Sequence, residues 1–229
     1  MRKLTLHDGG TAFESLLLDS NPSSRVVLFA VGSGGNPERH LPLLESLAKR
    51  GNAVVAPIFD RLASPFPTSD DLLLRARRLR LALDEVATTN LPAIGVGHSI
   101  GATLLLGLAG AKLWTREGHC LPISQDSRLT KLALFSPPTG YFKALGALDD
   151  LKAPVQAWLG SLDEITPPSQ LEDLERGIRG RVPMDLRVIE GAGHFSFMNT
   201  LPPGIDDPLP DRNHFLEGVA EEISRFVES

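Results

Sequence analysis

The chain has 229 residues and a net charge of −5 at pH 7, and 42% of its residues are apolar. This apolar content excludes a chain that is disordered throughout, and the acidic balance argues against a dedicated nucleic-acid-binding protein. The single cysteine, Cys120, cannot form an intrachain disulfide and fits a reducing compartment. The amino terminus lacks the apolar core of a secretory signal, and no apolar run reaches membrane-spanning length, so we expect a cytoplasmic protein without membrane contact.

Strand-like and helix-like segments alternate along the chain. Asp8-Gly9-Gly10 separates two apolar runs and predicts a β-hairpin, while the continuous apolar runs that follow predict strands buried on both faces. The predicted strands are 4–7, 13–18, 25–31, 53–58, 91–96, 129–135, 154–159 and 184–189, and the predicted helices are 38–50, 68–86, 99–113, 170–178 and 214–227. Their order predicts an α/β fold with a mainly parallel sheet, helices on both faces and one domain over residues 1–229. The apolar stripe of helix 68–86 leaves Arg75 on the polar side.

Residues 97–101 read G-H-S-I-G and match the G-x-S-x-G pattern of a nucleophile elbow. The pattern directly follows a predicted strand and directly precedes a predicted helix, where a sharp turn lifts the serine hydroxyl above the sheet edge. Ser99 is therefore the candidate nucleophile, and the Ile100 N–H at the helix start can stabilise an oxyanion. The alternative is a serine that only caps the helix.

A serine hydroxyl needs a neighbouring base that takes its proton. His194 lies in a glycine-rich segment after the last predicted strand, from which its imidazole can reach back over the sheet edge. We expect His98, beside the nucleophile, to be structural. His40 could line the site, but we expect it on a solvated helix face.

The imidazole in turn needs an acceptor that fixes its tautomer. Asp163 follows the predicted strand 154–159 and is the favoured carboxylate, with its neighbour Glu164 as the fallback. The chain order Ser99, Asp163, His194 is the order expected of the α/β-hydrolase fold.

Four segments together resemble the α/β-hydrolase superfamily, in particular bacterial dienelactone hydrolase-like serine hydrolases: VVLFAVGSGGN, GVGHSIGA, GSLDEITPP and GAGHFSF. The resemblance implies an eight-stranded, mostly parallel sheet, hydrolysis of an ester-like bond, and catalysis by the three residues named above. It also places the Ser33 N–H as the second oxyanion donor. Two residues depart from the pattern of this family: Val31 stands where many relatives have histidine, and Ser99 stands where dienelactone hydrolases have cysteine. The second departure favours a serine esterase or a related acyl hydrolase.

The connection 136–152 is too short for a large lid, although one short helix near 142–148 fits, so we expect a fairly open site. Candidate walls, each equally explicable as core packing, are Phe66, Tyr141, Phe142, Phe195 and Phe197.

Three acids after the base segment (Asp206, Asp207 and Asp211) could mark a metal site, but solvated turn carboxylates, with Asp211 capping the last helix, explain them better. Phosphate-binding glycine motifs and paired Cys/His spacings do not appear, so we expect neither cofactor nor metal.

Three functions fit these patterns. The first, which we predict, is a serine hydrolase acting on a small-molecule ester or thioester. The second is an acyltransferase or perhydrolase with the same triad, which differs only in the acceptor that replaces water. The third, a non-catalytic binding module, is disfavoured by the complete triad. None of these functions needs nucleic acid or a membrane, and the chain could form a homodimer.

Overall fold

The computed structural model describes residues 1–19, 23–87 and 91–229, and within them the strands form one eight-stranded sheet. In chain order the strands are β1 (Arg2–Asp8), β2 (Thr11–Leu18), β3 (Arg25–Ala30), β4 (Asn52–Pro57), β5 (Ala93–His98), β6 (Leu129–Phe135), β7 (Val155–Gly160) and β8 (Met184–Ile189). Their order in space is β1-β2-β4-β3-β5-β6-β7-β8. β2 pairs antiparallel with β1 and β4, and every other neighbouring pair is parallel.

The helices of the described residues are α1 (Leu41–Lys49), α2 (Ser69–Val86), α3 (Ile100–Leu108), α4 (Ser169–Ile178) and α5 (Arg212–Glu228). α1 packs against α5, and α2 packs against α3. β4, β5 and β7 are buried at every position, which requires cover on both faces of the sheet. The predicted fold class, a mostly parallel eight-stranded sheet with helices on both faces, is therefore confirmed. None of these helices has the length and apolarity needed to cross a membrane.

Two helix predictions were wrong at their ends. α3 stops at Leu108 instead of residue 113, because Gly110 adopts a left-handed backbone (φ 115°) and the Ala111 N–H returns to the Leu106 carbonyl. This arrangement is a glycine-terminated helix end. The predicted helix 38–50 begins as a 3₁₀ turn over Pro37–His40 before α1 continues it.

The connection between β6 and β7 holds no large lid, as expected, and the short helix for which the sequence left room near 142–148 is absent from it. A 3₁₀ turn over Gly140–Phe142 comes earlier, and the following residues form turns. Gly146 has a φ of 76°, which is incompatible with a right-handed helix at that point.

Candidate active site

Ser99 lies at the junction between β5 and α3, above the carboxyl end of the sheet. Its φ of 54° and ψ of −131° are rarely adopted by a residue with a side chain, as expected of a nucleophile elbow. Ser99 occupies the N-cap position of α3, but its side chain makes no capping hydrogen bond. Its Oγ lies 3.0 Å from His194 Nε2. The helix-cap interpretation of this serine was therefore wrong.

A close approach between two backbones explains the second glycine of the pattern. A Cβ on Gly101 would lie 2.2 Å from the carbonyl oxygen of Ala30, far inside van der Waals contact. Only glycine therefore lets the first turn of α3 rest against the end of β3. This contact sets the height of Ser99 above the sheet.

His194 and Asp163 complete a hydrogen-bonded relay from the serine. His194 Nδ1 lies 2.8 Å from Asp163 Oδ2, and both residues are buried. Because a carboxylate only accepts, Nδ1 carries the proton and Nε2 is free to accept from the Ser99 hydroxyl. The sequence placed these three residues after β5, β7 and β8, and the structure brings them together.

Thr166 is a member of this cluster that the sequence analysis missed. Its Oγ1 donates to Asp163 Oδ2 at 2.6 Å, and its N–H donates to Asp163 Oδ1 at 2.7 Å. The Ile165 N–H adds a third donor at 2.9 Å. Burial raises the pKa of Asp163, but the hydrogen bonds from His194 and Thr166 outweigh it and hold the pKa below its ordinary value. Aspartate often accepts from the N–H two residues on, so the spacing contained a signal for the Ile165 contact but not for Thr166.

Glu164, the fallback acid, is exposed to solvent, whereas Asp163 is 2% exposed. Asp163 hydrogen-bonds to His194, and Glu164 makes no such contact in the part of the chain that the structure describes. The geometry thus favours Asp163 over Glu164.

His98 has a structural contact on the far side of the base. Its Nε2 lies 2.9 Å from the His194 carbonyl oxygen, and because a carbonyl only accepts, Nε2 carries the proton. Burial lowers the pKa of His98 well below its usual range, so the ring is neutral. Neutral His98 therefore tethers the backbone of the base segment.

His40 is fully buried, so its predicted place on a solvated helix face was wrong. Its ring centroid lies 4.8 Å from that of Phe29 and 5.4 Å from that of His98. The ring of His98 lies 5.0 Å from that of His194, so His98 links the buried His40 ring to the relay. Burial lowers the pKa of His40 to about 3, which keeps the ring neutral.

The two candidate oxyanion donors flank the serine. A Cβ on Gly32 would lie 3.2 Å from the Cβ of Ser99, so the Gly32–Ser33 peptide runs beside Ser99. Ile100 is the first residue of α3, where an N–H has no acceptor within the helix. Within residues 1–19, 23–87 and 91–229, neither the Ser33 nor the Ile100 N–H donates to a protein acceptor. Both can therefore donate to a bound oxygen.

Arg75 contradicts the prediction that it lies on the polar side of its helix, because it is only 2% exposed. Its guanidinium donates to the carbonyl oxygens of Gly32, Ser33 and Asp60. Its spacing of three from Leu72 and four from Leu79 places it on the buried face of α2. That spacing was the available signal.

The candidate pocket residues fall into two groups. Phe197 and Phe142 are buried in the core, and the Phe197 ring stacks on Phe135 at 5.4 Å. Phe195 meets the His194 ring edge-on at 5.1 Å, Tyr141 is half-buried, and Phe66 is 58% exposed beneath the guanidinium of Arg116. Phe195, Tyr141 and Phe66 are thus exposed enough to line a pocket, and Phe195 is the one of the five candidates with a ring contact to a relay residue in the described ranges. A cavity of about 470 Å³ between segment 142–149 and α4 is lined by none of the relay residues.

Of the three acids after the base segment, Asp206 is exposed and Asp207 has structural contacts. Asp207 accepts from the Ser196 hydroxyl at 2.9 Å and from the Leu209 N–H at 3.0 Å. Asp211 stands at the N-cap position of α5, but it has a left-handed backbone and makes no side-chain cap, so the capping prediction was wrong. In the described ranges, no group of three or more His, Cys, Asp or Glu residues could hold a metal ion.

No protein-family model and no curated protein matches the sequence. Several solved structures match the fold. An esterase of Pyrococcus furiosus is 16% identical with a TM-score of 0.70, covering 99% of this chain and 91% of that chain. A dienelactone hydrolase of Anabaena variabilis is 21% identical with a TM-score of 0.68, covering 98% of this chain and 94% of that chain. An esterase domain of Rhodothermus marinus is 17% identical with a TM-score of 0.62, covering 98% of this chain and 96% of that chain. Together with the sheet order, these likenesses show that the chain has the α/β-hydrolase fold.

Proposed function

We propose that the protein is a serine hydrolase that cleaves a small ester or thioester through an acyl-enzyme on Ser99. The observation that carries the proposal is the continuous relay of Ser99, His194 and Asp163, with distances of 3.0 and 2.8 Å. Nucleophile, base and orienting acid within hydrogen-bond reach are the arrangement that nucleophilic acyl transfer needs. The structural neighbours named as esterases and as a dienelactone hydrolase support the same class of reaction.

In the acylation half, Ser99 Oγ attacks the carbonyl carbon of the substrate while its proton moves to His194 Nε2. The carbonyl electron pair moves onto oxygen, and the Ser33 and Ile100 N–H groups donate to the oxyanion. The oxyanion then collapses, the bond to the leaving alcohol or thiol breaks, and His194 gives the leaving group its proton. Ionised Asp163 stabilises the imidazolium throughout, because its lowered pKa keeps it charged at neutral pH.

In the deacylation half, water takes the place of the leaving group. His194 Nε2 removes a proton from water as the water oxygen attacks the acyl carbon. The second tetrahedral intermediate expels Ser99 Oγ, which recovers its proton from His194, and a carboxylic acid leaves the site. The short connection between β6 and β7 carries no large lid, which favours a small substrate.

A fluorophosphonate probe tests the nucleophile directly. The wild-type protein should take up one probe on the peptide that contains Ser99, and Ser99→Ala should take up none. Ser15→Ala is a matched control, since Ser15 is also buried and its Oγ has no hydrogen-bond partner in the part of the chain that the structure describes. That control should label like wild type. Labelling of Ser99→Ala at the wild-type rate would refute the proposal.

Substrate class is then read from p-nitrophenyl esters and thioesters graded by acyl length. We expect turnover that is highest for short acyl chains and that disappears in Ser99→Ala. Adding an alcohol or peroxide in parallel measures transfer to an acceptor other than water. Predominant transfer to that acceptor would replace hydrolysis by the acyltransferase or perhydrolase function.

A further inference from the structure

Arg75 is a buried charge that the proposed chemistry does not yet use. It lies on α2, 42 and 43 residues along the chain from the two loop carbonyls that it contacts. Nη1 donates to the Gly32 oxygen at 2.9 Å, and Nη2 donates to the oxygens of Ser33 at 3.2 Å and Asp60 at 2.7 Å. The guanidinium also lies over the Phe59 ring, 4.8 Å from its centroid. Two of these contacts, those to Gly32 and Ser33, are to the segment that lies beside Ser99.

The Gly32 contact has a direct consequence for the oxyanion donor. The Gly32 carbonyl and the Ser33 N–H belong to one peptide unit, which is planar and trans, so they point in opposite directions. A side chain that holds the carbonyl therefore also sets the direction of the N–H. Arg75 approaches this peptide from α2, while Ser99 lies beside Gly32, as its 3.2 Å separation from a Gly32 Cβ shows.

The guanidinium suits this role because it is rigid and charged, and because moving it away from its acceptors would cost free energy. A planar fork fixes the relative directions of its N–H groups, and charge-assisted hydrogen bonds are about twice as strong as neutral ones. Burial lowers the pKa of Arg75 to about 10, which leaves it charged at neutral pH. Backbone donors also reach these carbonyls, from Gly35 to Gly32 and from Leu62 to Ser33, so the loop stays connected without Arg75 but loses its side-chain anchor.

We propose that Arg75 is a positioning residue that holds the Ser33 N–H in the direction from which it donates to the oxyanion. This inference rests on the proposed function, because the oxyanion forms only in that reaction. Arg75 does not touch the reacting atoms, and it acts only through the Gly32–Ser33 peptide.

Arg75→Met keeps most of the side-chain length and removes the three hydrogen bonds. Its kcat for p-nitrophenyl acetate should fall by up to about a hundredfold, the loss that a small misplacement of a catalytic group can cause. KM should change by less than about threefold, because the oxyanion forms only after binding. The binding constant of a trifluoromethyl ketone, whose adduct with serine carries an oxyanion, should weaken in proportion to kcat/KM. Rates are expressed per active site counted by complete fluorophosphonate labelling, so that loss of folded protein does not imitate the effect.

Arg78→Met is the matched control. Arg78 lies one turn further along α2, has a side chain that is 13% exposed, and contacts Asp8 and the Phe13 ring instead of the loop. It should retain wild-type kcat per labelled site. Arg75→Lys serves if Arg75→Met does not fold: one ammonium cannot reproduce the planar fork, so its kcat should fall below wild type while KM is kept.

The outcomes separate the two proposals. A wild-type protein that neither labels nor turns over esters refutes the proposed function. A wild-type protein that does both, with wild-type kcat per site in Arg75→Met or in folded Arg75→Lys, refutes the role of Arg75 and leaves the hydrolase proposal standing. Equal losses in Arg75→Met and Arg78→Met would also refute it, because they would show a general effect of α2.

Discussion

At the scale of single residues, the carboxylate behind His194 shows how burial and hydrogen bonding compete. Burial raises the pKa of Asp163, and the donors on His194 and Thr166 lower it by more. Asp163 therefore stays ionised in a site where its side chain is inaccessible to water. A charge held in this way can stabilise the imidazolium without taking its proton.

Asp163→Asn should lose up to about ten-thousand-fold in kcat, because an amide can favour the wrong imidazole tautomer. Glu164→Gln should stay within about tenfold of wild type, since Glu164 is exposed. The measurement is turnover of one activated ester by both variants, with circular dichroism to confirm folding. A crippled Glu164→Gln variant beside an active Asp163→Asn variant would reverse the assignment.

At the scale of elements, the start of α3 depends on its contact with the end of β3. The helix begins directly after the strained Ser99, and Gly101 passes so close to Ala30 that no side chain fits between them. Packing of one element against another thus holds an unfavourable backbone in place.

Gly101→Ala should lower the free energy of unfolding by about 1–3 kcal/mol, the usual cost of forcing extra atoms into a packed contact. Gly218→Ala is the control within α5, where an added Cβ meets nothing within 4 Å. It should raise the free energy of unfolding by about 0.5–1 kcal/mol, because alanine favours a helix interior. Urea denaturation of both variants decides the point, and a Gly101→Ala variant as stable as wild type would contradict the close approach.

At the scale of the whole molecule, the neutral histidines behind the relay link stability to pH. The folded pKa of His40, about 3, lies below its ordinary value of 6.5. Between these values the unfolded chain binds a proton that the folded protein excludes, so stability is fully present above pH 6.5 and is lost as the pH falls. His98 acts in the same direction. Asp163 contributes in a lower window, because its ordinary pKa is 3.8.

Lowering the pH from 7 to 5 should cost about 2 kcal/mol of stability through His40 alone. His40→Phe keeps a ring beside Phe29 and cannot be protonated, so its loss between the two pH values should be smaller than that of wild type by this amount. His214→Gln, at a side chain that is 91% exposed, should keep the wild-type difference. Urea denaturation at both pH values tests this, and an unchanged loss in His40→Phe would show that His40 is protonated in the folded protein.

The sequence by itself determined the features that depend on local pattern. Apolar runs located every strand, with β6 and β8 predicted at their observed bounds. Strand, turn and helix signals around residues 97–101 predicted the strand–turn–helix junction at Ser99, and strand order placed the candidate acid and base at the same edge of the sheet. The sequence pattern is sufficient here because a parallel sheet brings the carboxyl ends of its strands to one edge, whatever segments connect the strands.

Only the tertiary structure decided which polar residues are buried and what they contact. Arg75 and His40 have polar side chains and were assigned to solvated surfaces, yet both are buried. The carbonyls that accept from Arg75 come from the segments after β3 and after β4, and the rings that pack on His40 come from β3 and β5. Burial of a charged group such as Arg75 is favourable only when distant segments supply its acceptors, and burial of a neutral ring such as His40 depends on the distant rings that pack on it. Neighbouring residues in the sequence carry no record of those segments.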